Sequence, residues 1–215
     1  MDASRTPQPG ETTPADTAPP APPWADLPNI LLLPKVSPLA RMCQDLGLGT
    51  FHHVADRVLR LPYGRNCDRT ALQSVLEEGR GTCATKHALL AALAGEHGVE
   101  LPLMLGIYEM NGVNTPAVAA VLRKAGLASL PEAHCYLAWG KTRIDLTGVG
   151  RATDETFLLE ERIRPDQIGD YKVRRHREFL EHWRHGQGLV ARWPLDALWD
   201  VRERCIAALA ASQRS

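Results

Sequence analysis

The chain has 215 residues, 44% of them hydrophobic, which is enough for one sizeable core or two small ones. Lys plus Arg and Asp plus Glu number 25 each, so the formal charge is zero and neither nucleic acid nor an anionic membrane surface is an expected partner. Five cysteines, at 43, 67, 83, 135 and 205, form no Cys-x-x-Cys pair and no tight disulfide spacing, which points away from a structural zinc site and toward a reduced, cytoplasmic protein.

Residues 1–26 are rich in Pro, Thr, Ala and acidic residues, with Trp24 as the single aromatic. Such a segment buries too little apolar surface to offset its ordering entropy, so it is expected to be a disordered tail. It has no apolar core of the secretory type, and no run of 18 apolar residues elsewhere suggests a membrane span. "LLLPKVSPLARMCQDLG" predicts a short extended piece, then a helix from about Ser37 with Pro38 at its first position. "TFHHVADRVLRLPYGR" predicts a helix stopped by Pro62. From Thr82, apolar residues at 84, 88, 89, 92 and 93 keep helical spacing until Gly95 and Gly98 close the run near 96. "VELPLMLGIY" has the length and composition of a strand, and "MNGVNTPAVAAVLRKAGLAS" is a turn-rich loop leading into a short helix. "AHCYLAWGKTRIDLTG" predicts a hairpin turning at Gly140-Lys141. A further strand is expected at 170–174, with helices over 175–186 and 194–211. Helices followed by consecutive strands make an α+β fold, a single domain over 27–215.

Cys83 follows Gly81-Thr82 and opens the central helix. A cysteine there can be a small apolar residue that happens to begin a helix, since free thiols pack as small hydrophobes. It can also be a nucleophile, because unpaired amides and the helix dipole favour the thiolate. Two further residues bear on the choice: His134 on the first arm of the hairpin and Asp145 on the second, 51 and then 11 residues on. Adjacent antiparallel strands can set a carboxylate beside an imidazole and fix its tautomer, and the imidazole can serve as acid and base to the thiol.

"GTCATKHALLAALAGEHGVELPLMLGIY", "EAHCYL" and "RIDLTG" resemble the core of the transglutaminase-like superfamily of cysteine enzymes. The resemblance covers about residues 79–148, a third of the chain, with Cys135-Tyr136-Leu137 where the family has Trp after the histidine. It implies a papain-like fold in which a nucleophile helix packs on a small antiparallel sheet, with extra helices at both ends. It implies Cys83, His134 and Asp145 as a catalytic triad, and thiol chemistry on an acyl group through a thioester. The expected activity is that of an amidase, peptidase or transglutaminase-like acyltransferase on a peptide or small amide, with no cofactor and no metal. A non-catalytic binding domain retaining the fold, and a zinc protein using Cys83 and His134, are the alternatives.

An acyl-transfer site also needs an oxyanion hole. The Cys83 amide is the first candidate donor, with Tyr63 or Asn66 in "LPYGRNCDR" as the second; Glu109, Asn111 and Asn114 in "YEMNGVNTP" are candidate substrate contacts. His87 shares the Cys83 face of its helix and is expected to pack behind the site, Lys86 to face solvent or support the site's negative charge. His52, His53, His182 and His185 are expected on helix surfaces. Cys135 is expected in the core on the strand face opposite His134, and Cys43, Cys67 and Cys205 as packing residues.

Overall fold

A computed structural model describes residues 20–149 and 156–212. The expected disordered tail therefore lies, for residues 1–19, outside the described residues. Residues 20–26 are described, and there Trp24 packs on the core with its ring 4.9 Å from that of His52.

Seven helices and four strands follow in the described chain: α1 (Pro38–Asp45), α2 (Phe51–Arg60), α3 (Ser74–Glu77), α4 (Cys83–Glu96), β1 (Leu103–Asn111), α5 (Ala119–Ala125), β2 (Ser129–Trp139), β3 (Thr142–Ile144), β4 (Phe157–Ile163), α6 (Asp170–Gly186) and α7 (Leu195–Ala211). The local signals act as expected at most boundaries. Ser37 caps α1 by accepting from the Ala40 amide, with Pro38 behind it. Thr50 caps α2, whose inner face is Phe51, Val54, Ala55 and Val58. α2 ends at Arg60, two residues before Pro62.

All strand pairs are antiparallel, in the order β3-β2-β1-β4. His134 pairs with Gly106, and Leu137 with Ile144. One sheet face, with Leu103, Leu105, Ile107, Ala133, Cys135 and Leu137, shares a core with α2 and α4. The other, with Tyr108, Met110 and Leu130, joins a second cluster with α5, α6 and α7. Because both faces are covered, β2 is buried from Leu130 through Leu137 and its polar residues, Glu132 and His134, must find partners inside the protein. The molecule is thus mixed α+β around a small antiparallel sheet.

The fourth strand departs from expectation. Residues 170–174 lie in the first turns of α6, and the fourth strand is Phe157–Ile163, "FLLEERI", on the outer edge of β1. "DYKVR" has strand-like residues, yet helical geometry lets Tyr171 pack on the main core and Lys172 point toward Cys83. Among the described residues no helix is long and apolar enough to cross a membrane.

Candidate active site

Cys83 is the first residue of α4 and is 6% exposed. The turn before it is held by a reciprocal cap: Thr82 Oγ1 accepts from the Thr85 amide at 3.3 Å, and Thr85 Oγ1 from the Thr82 amide at 2.9 Å. The Thr85 hydroxyl donates in turn to Asn66 Oδ1 at 2.9 Å, and Asn66 Nδ2 donates to the Ser74 and Arg80 carbonyls at 3.2 and 3.0 Å. Asn66 thus ties three segments together at the helix start, and its amide is engaged in that frame rather than presented as an oxyanion donor.

His134 Nε2 lies 2.9 Å from Asp145 Oδ2. β3 stops at Ile144, so Asp145 is the first residue past the paired segment, where the chain leaves β2 before drawing level with His134. Its other oxygen accepts from the Thr147 amide at 2.8 Å and from the Thr147 hydroxyl. Burial alone would raise the Asp145 carboxyl, but the His134 ring and the Thr147 hydroxyl hold it well below the usual carboxylate range.

Two consecutive residues of α4 fasten that loop. Lys86, expected to face solvent or to support the site's negative charge, is completely buried rather than solvent-facing; its Nζ donates to the Leu61 and Thr147 carbonyls at 2.6 and 2.7 Å. Burial pushes its ammonium down to about 8, opposed by the charges of Asp145 and Cys83. His87 is buried behind the site, as expected, and both ring nitrogens are in use. Nδ1 lies 2.8 Å from the Cys83 carbonyl, and Nε2 accepts from the Leu146 amide at 2.7 Å. A carbonyl can only accept and an amide only donate, so the ring is neutral with its proton on Nδ1. Its Nε2 is 3.6 Å from Asp145 Oδ1 but has no proton to offer there. Burial pushes this imidazole down to about 4. Gly148 permits the close approach: at φ +78° its Cα faces the Leu59 carbonyl, which a Cβ would meet at 2.5 Å.

Aromatic rings brace His134. Tyr108 meets it edge-on at 6.5 Å, Tyr136 stacks beside it at 6.4 Å, and Phe157 stacks on Tyr136 at 5.2 Å. The Phe157 ring lies where a Cβ on Gly106 would be, 2.4 Å from it, so the row needs glycine opposite His134.

Cys83 faces a cavity of about 390 Å³ whose walls include Tyr63, Asn66, Glu132, Lys172 and Arg202; His134 and Asp145 lie outside its lining. Lys172 Nζ approaches Cys83 Sγ at 4.0 Å. Burial would lower the Lys172 ammonium, but Cys135, Cys83 and Glu132 raise it above its ordinary value. Lys172 was invisible in the sequence, 89 residues from Cys83 in a stretch with strand-like composition. Glu109, Asn111 and Asn114 lie outside this cavity and close a turn after β1: Asn111 Oδ1 accepts from the Val113 and Asn114 amides, Asn114 Oδ1 from the Asn111 amide, and Glu109 from Ser129.

Cys135 is in the core on the face opposite His134, with its thiol pushed up to about 12 by burial. Cys43 and Cys205 are buried and pushed up to about 11, whereas Cys67, expected to pack, is exposed. His53, His182 and His185 are exposed, while His52 is half-buried with Nε2 2.6 Å from the Leu27 carbonyl. Among the described residues no group of three His, Cys, Asp or Glu is disposed to hold a metal.

Comparison with family models, curated proteins and solved structures returned no match.

Proposed function

We propose that the protein is a thiol-dependent acyl-transfer enzyme of transglutaminase-like, papain-like architecture, using Cys83, His134 and Asp145 on a peptide or small amide. The observation that carries this reading is the 2.9 Å His134–Asp145 pair, in a loop fastened by Lys86 and His87 to the helix that Cys83 begins.

With Nε2 committed to Asp145, His134 exchanges a proton with the thiol through Nδ1. The Cys83 thiolate, stabilised by the α4 N-terminus and the Lys172 ammonium, adds its electron pair to the amide carbonyl carbon. The carbonyl oxygen takes the negative charge, with the Cys83 amide as donor to it. As the oxyanion collapses, the C–N bond breaks and the amine leaves with the proton from His134. Water or an amine then attacks the thioester, giving its proton back to His134, and the C–S bond breaks to restore the thiol. Asp145 orients the ring throughout. Five unbridged thiols suit a reducing compartment, and we assign the protein to the cytoplasm on that ground.

A binding domain retaining the fold is the second reading, favoured by the position of His134 and Asp145 outside the cavity lining. Alkylation kinetics separate the two. In the enzyme reading iodoacetamide modifies Cys83 near neutral pH at least tenfold faster than Cys205, and His134→Ala slows that labelling. Equal rates at the two thiols, measured by peptide mapping of the native protein, reject the enzyme.

A further inference from the structure

The charges around the Cys83 cavity do not cancel. Arg65 Nη2 pairs with Glu203 at 2.6 Å, Glu203 with Arg202 Nη1 at 2.8 Å, and Arg202 Nη2 with Glu132 at 2.6 Å. That chain of two cations and two anions is neutral. Its inner pair is nearly sealed, with 12% and 4% of the Arg202 and Glu132 side chains exposed, so it is part of the wall rather than a docking point. Burial would raise the Glu132 carboxyl, but Arg202 holds it down at about 2. His176 adds no charge, being buried against the Pro131 carbonyl and pushed down to about 4.

Two cations of the lining are left over, Lys172 and Arg69. Among the described residues neither has a carboxylate within ion-pair distance; Lys172 Nζ has the Cys83 sulfur at 4.0 Å, and Arg69 is exposed at the mouth. A Cys83 thiolate offsets one of these charges and leaves one positive charge over.

Resting on the thiol-enzyme reading above, we propose that the substrate is a monoanionic amide, with one carboxylate near the scissile carbonyl held in the Cys83 cavity by Arg69 and Lys172. A guanidinium offers a carboxylate two parallel donors, and an ammonium a point charge. The division of labour follows from position: Lys172 faces the sulfur and Arg69 the entrance. Once the thioester forms, the sulfur is neutral, and the Lys172 charge passes to the substrate carboxylate, keeping the acyl-enzyme in place while the amine departs. A volume of about 390 Å³ corresponds to roughly 13 waters at about 30 Å³ each, space for an end group of dipeptide size.

The test uses two alkylating probes of nearly equal size, iodoacetate and iodoacetamide. The ratio of their rates at Cys83 cancels the thiolate fraction and reports only the preference for negative charge. Relative to the same ratio at a free cysteine peptide, it should be raised about 5- to 10-fold at low ionic strength. It should fall to within about twofold in Arg69→Gln, and likewise in 0.5 M salt, where screening is short-ranged. A ratio equal to that of the free peptide, or one that Arg69→Gln leaves unchanged, overturns the carboxylate subsite while leaving the enzyme reading standing. If instead Cys83 reacts with both probes as slowly as Cys205, the enzyme reading falls. The subsite is then judged by calorimetric binding of N-acetylglycine to Cys83→Ala: saturable binding that Arg69→Gln weakens at least fivefold upholds it, and no binding overturns it.

Discussion

His87 holds the Cys83 carbonyl and the Leu146 amide only while it is neutral. Its imidazole is pushed from 6.5 down to about 4, first by burial and then by the charges of His134 and Lys86, with Asp145 acting in the opposite direction. Because the folded value lies below the unfolded one, the unfolded chain binds the proton more readily. The associated stability is therefore fully present above pH 6.5, falls as the pH drops toward 4, and falls no further below that. For those two values, linkage gives a loss of about 2 kcal/mol between pH 7 and pH 5, and about 3 kcal/mol at full protonation. His176 is pushed down to a similar value, so the wild type alone reports the sum of the two. His87→Gln isolates the first: a glutamine amide has a donor and an acceptor but does not titrate in this range. Urea unfolding of both proteins at pH 7 and pH 5 should give a variant that is less stable at pH 7 by about 1–3 kcal/mol, through imperfect replacement of two buried hydrogen bonds. The same variant should lose about 2 kcal/mol less than the wild type on acidification. Parallel losses in the two proteins would refute the neutral, Nδ1-protonated ring.

Lys86→Met leaves the Leu61 and Thr147 carbonyls without their donor, and chemical denaturation should register a loss of about 2–4 kcal/mol. Gly148→Ala drives a Cβ to 2.5 Å from the Leu59 carbonyl at positive φ, so it should lower the melting temperature and slow Cys83 alkylation together. In the proposed mechanism the Asp145 carboxylate orients the ring without exchanging protons with the thiol, so Asp145→Asn should slow that alkylation less than His134→Ala; an equal effect would give Asp145 a different role. Trp24→Ala should cost about 1–2 kcal/mol by equilibrium unfolding, since the ring packs on His52 and the core; a neutral result would make that contact incidental.

What could be foreseen from the sequence is what local chemistry determines. Ser37-Pro38, Thr50 and Thr82 announce helix starts because caps act within three residues, and Gly140-Lys141 marks the hairpin because a two-residue turn needs those backbone angles. Cys83 could be singled out because it opens such a helix, and His134 and Asp145 because one lies within the first strand of that hairpin and the other just past the second. Lys86 and Lys172 could not. One occupies a helix position whose neighbours, two loops 25 and 61 residues away, are known only after folding, and the other acts across 89 residues. β4 was missed for a related reason: as an edge strand with half-exposed alternation, "FLLEERI" gains its identity from pairing with β1 rather than from its own propensity.

The two α4 residues that clasp the Asp145 loop have a consequence for the order in which the protein becomes itself. Their bonds to Leu146 and Thr147 close loops of 59 and 61 residues, and everything inside those loops, β1, α5, β2 and β3, must already be threaded when they form. A chain emerging from the ribosome therefore carries the Cys83 thiol before His134 and Asp145 have been made and before the clasp at residues 146 and 147 can close. On the thiol-enzyme reading proposed above, Cys83 is dormant during synthesis, and any fragment cut before Asp145 contains the sulfur without the residues that activate it.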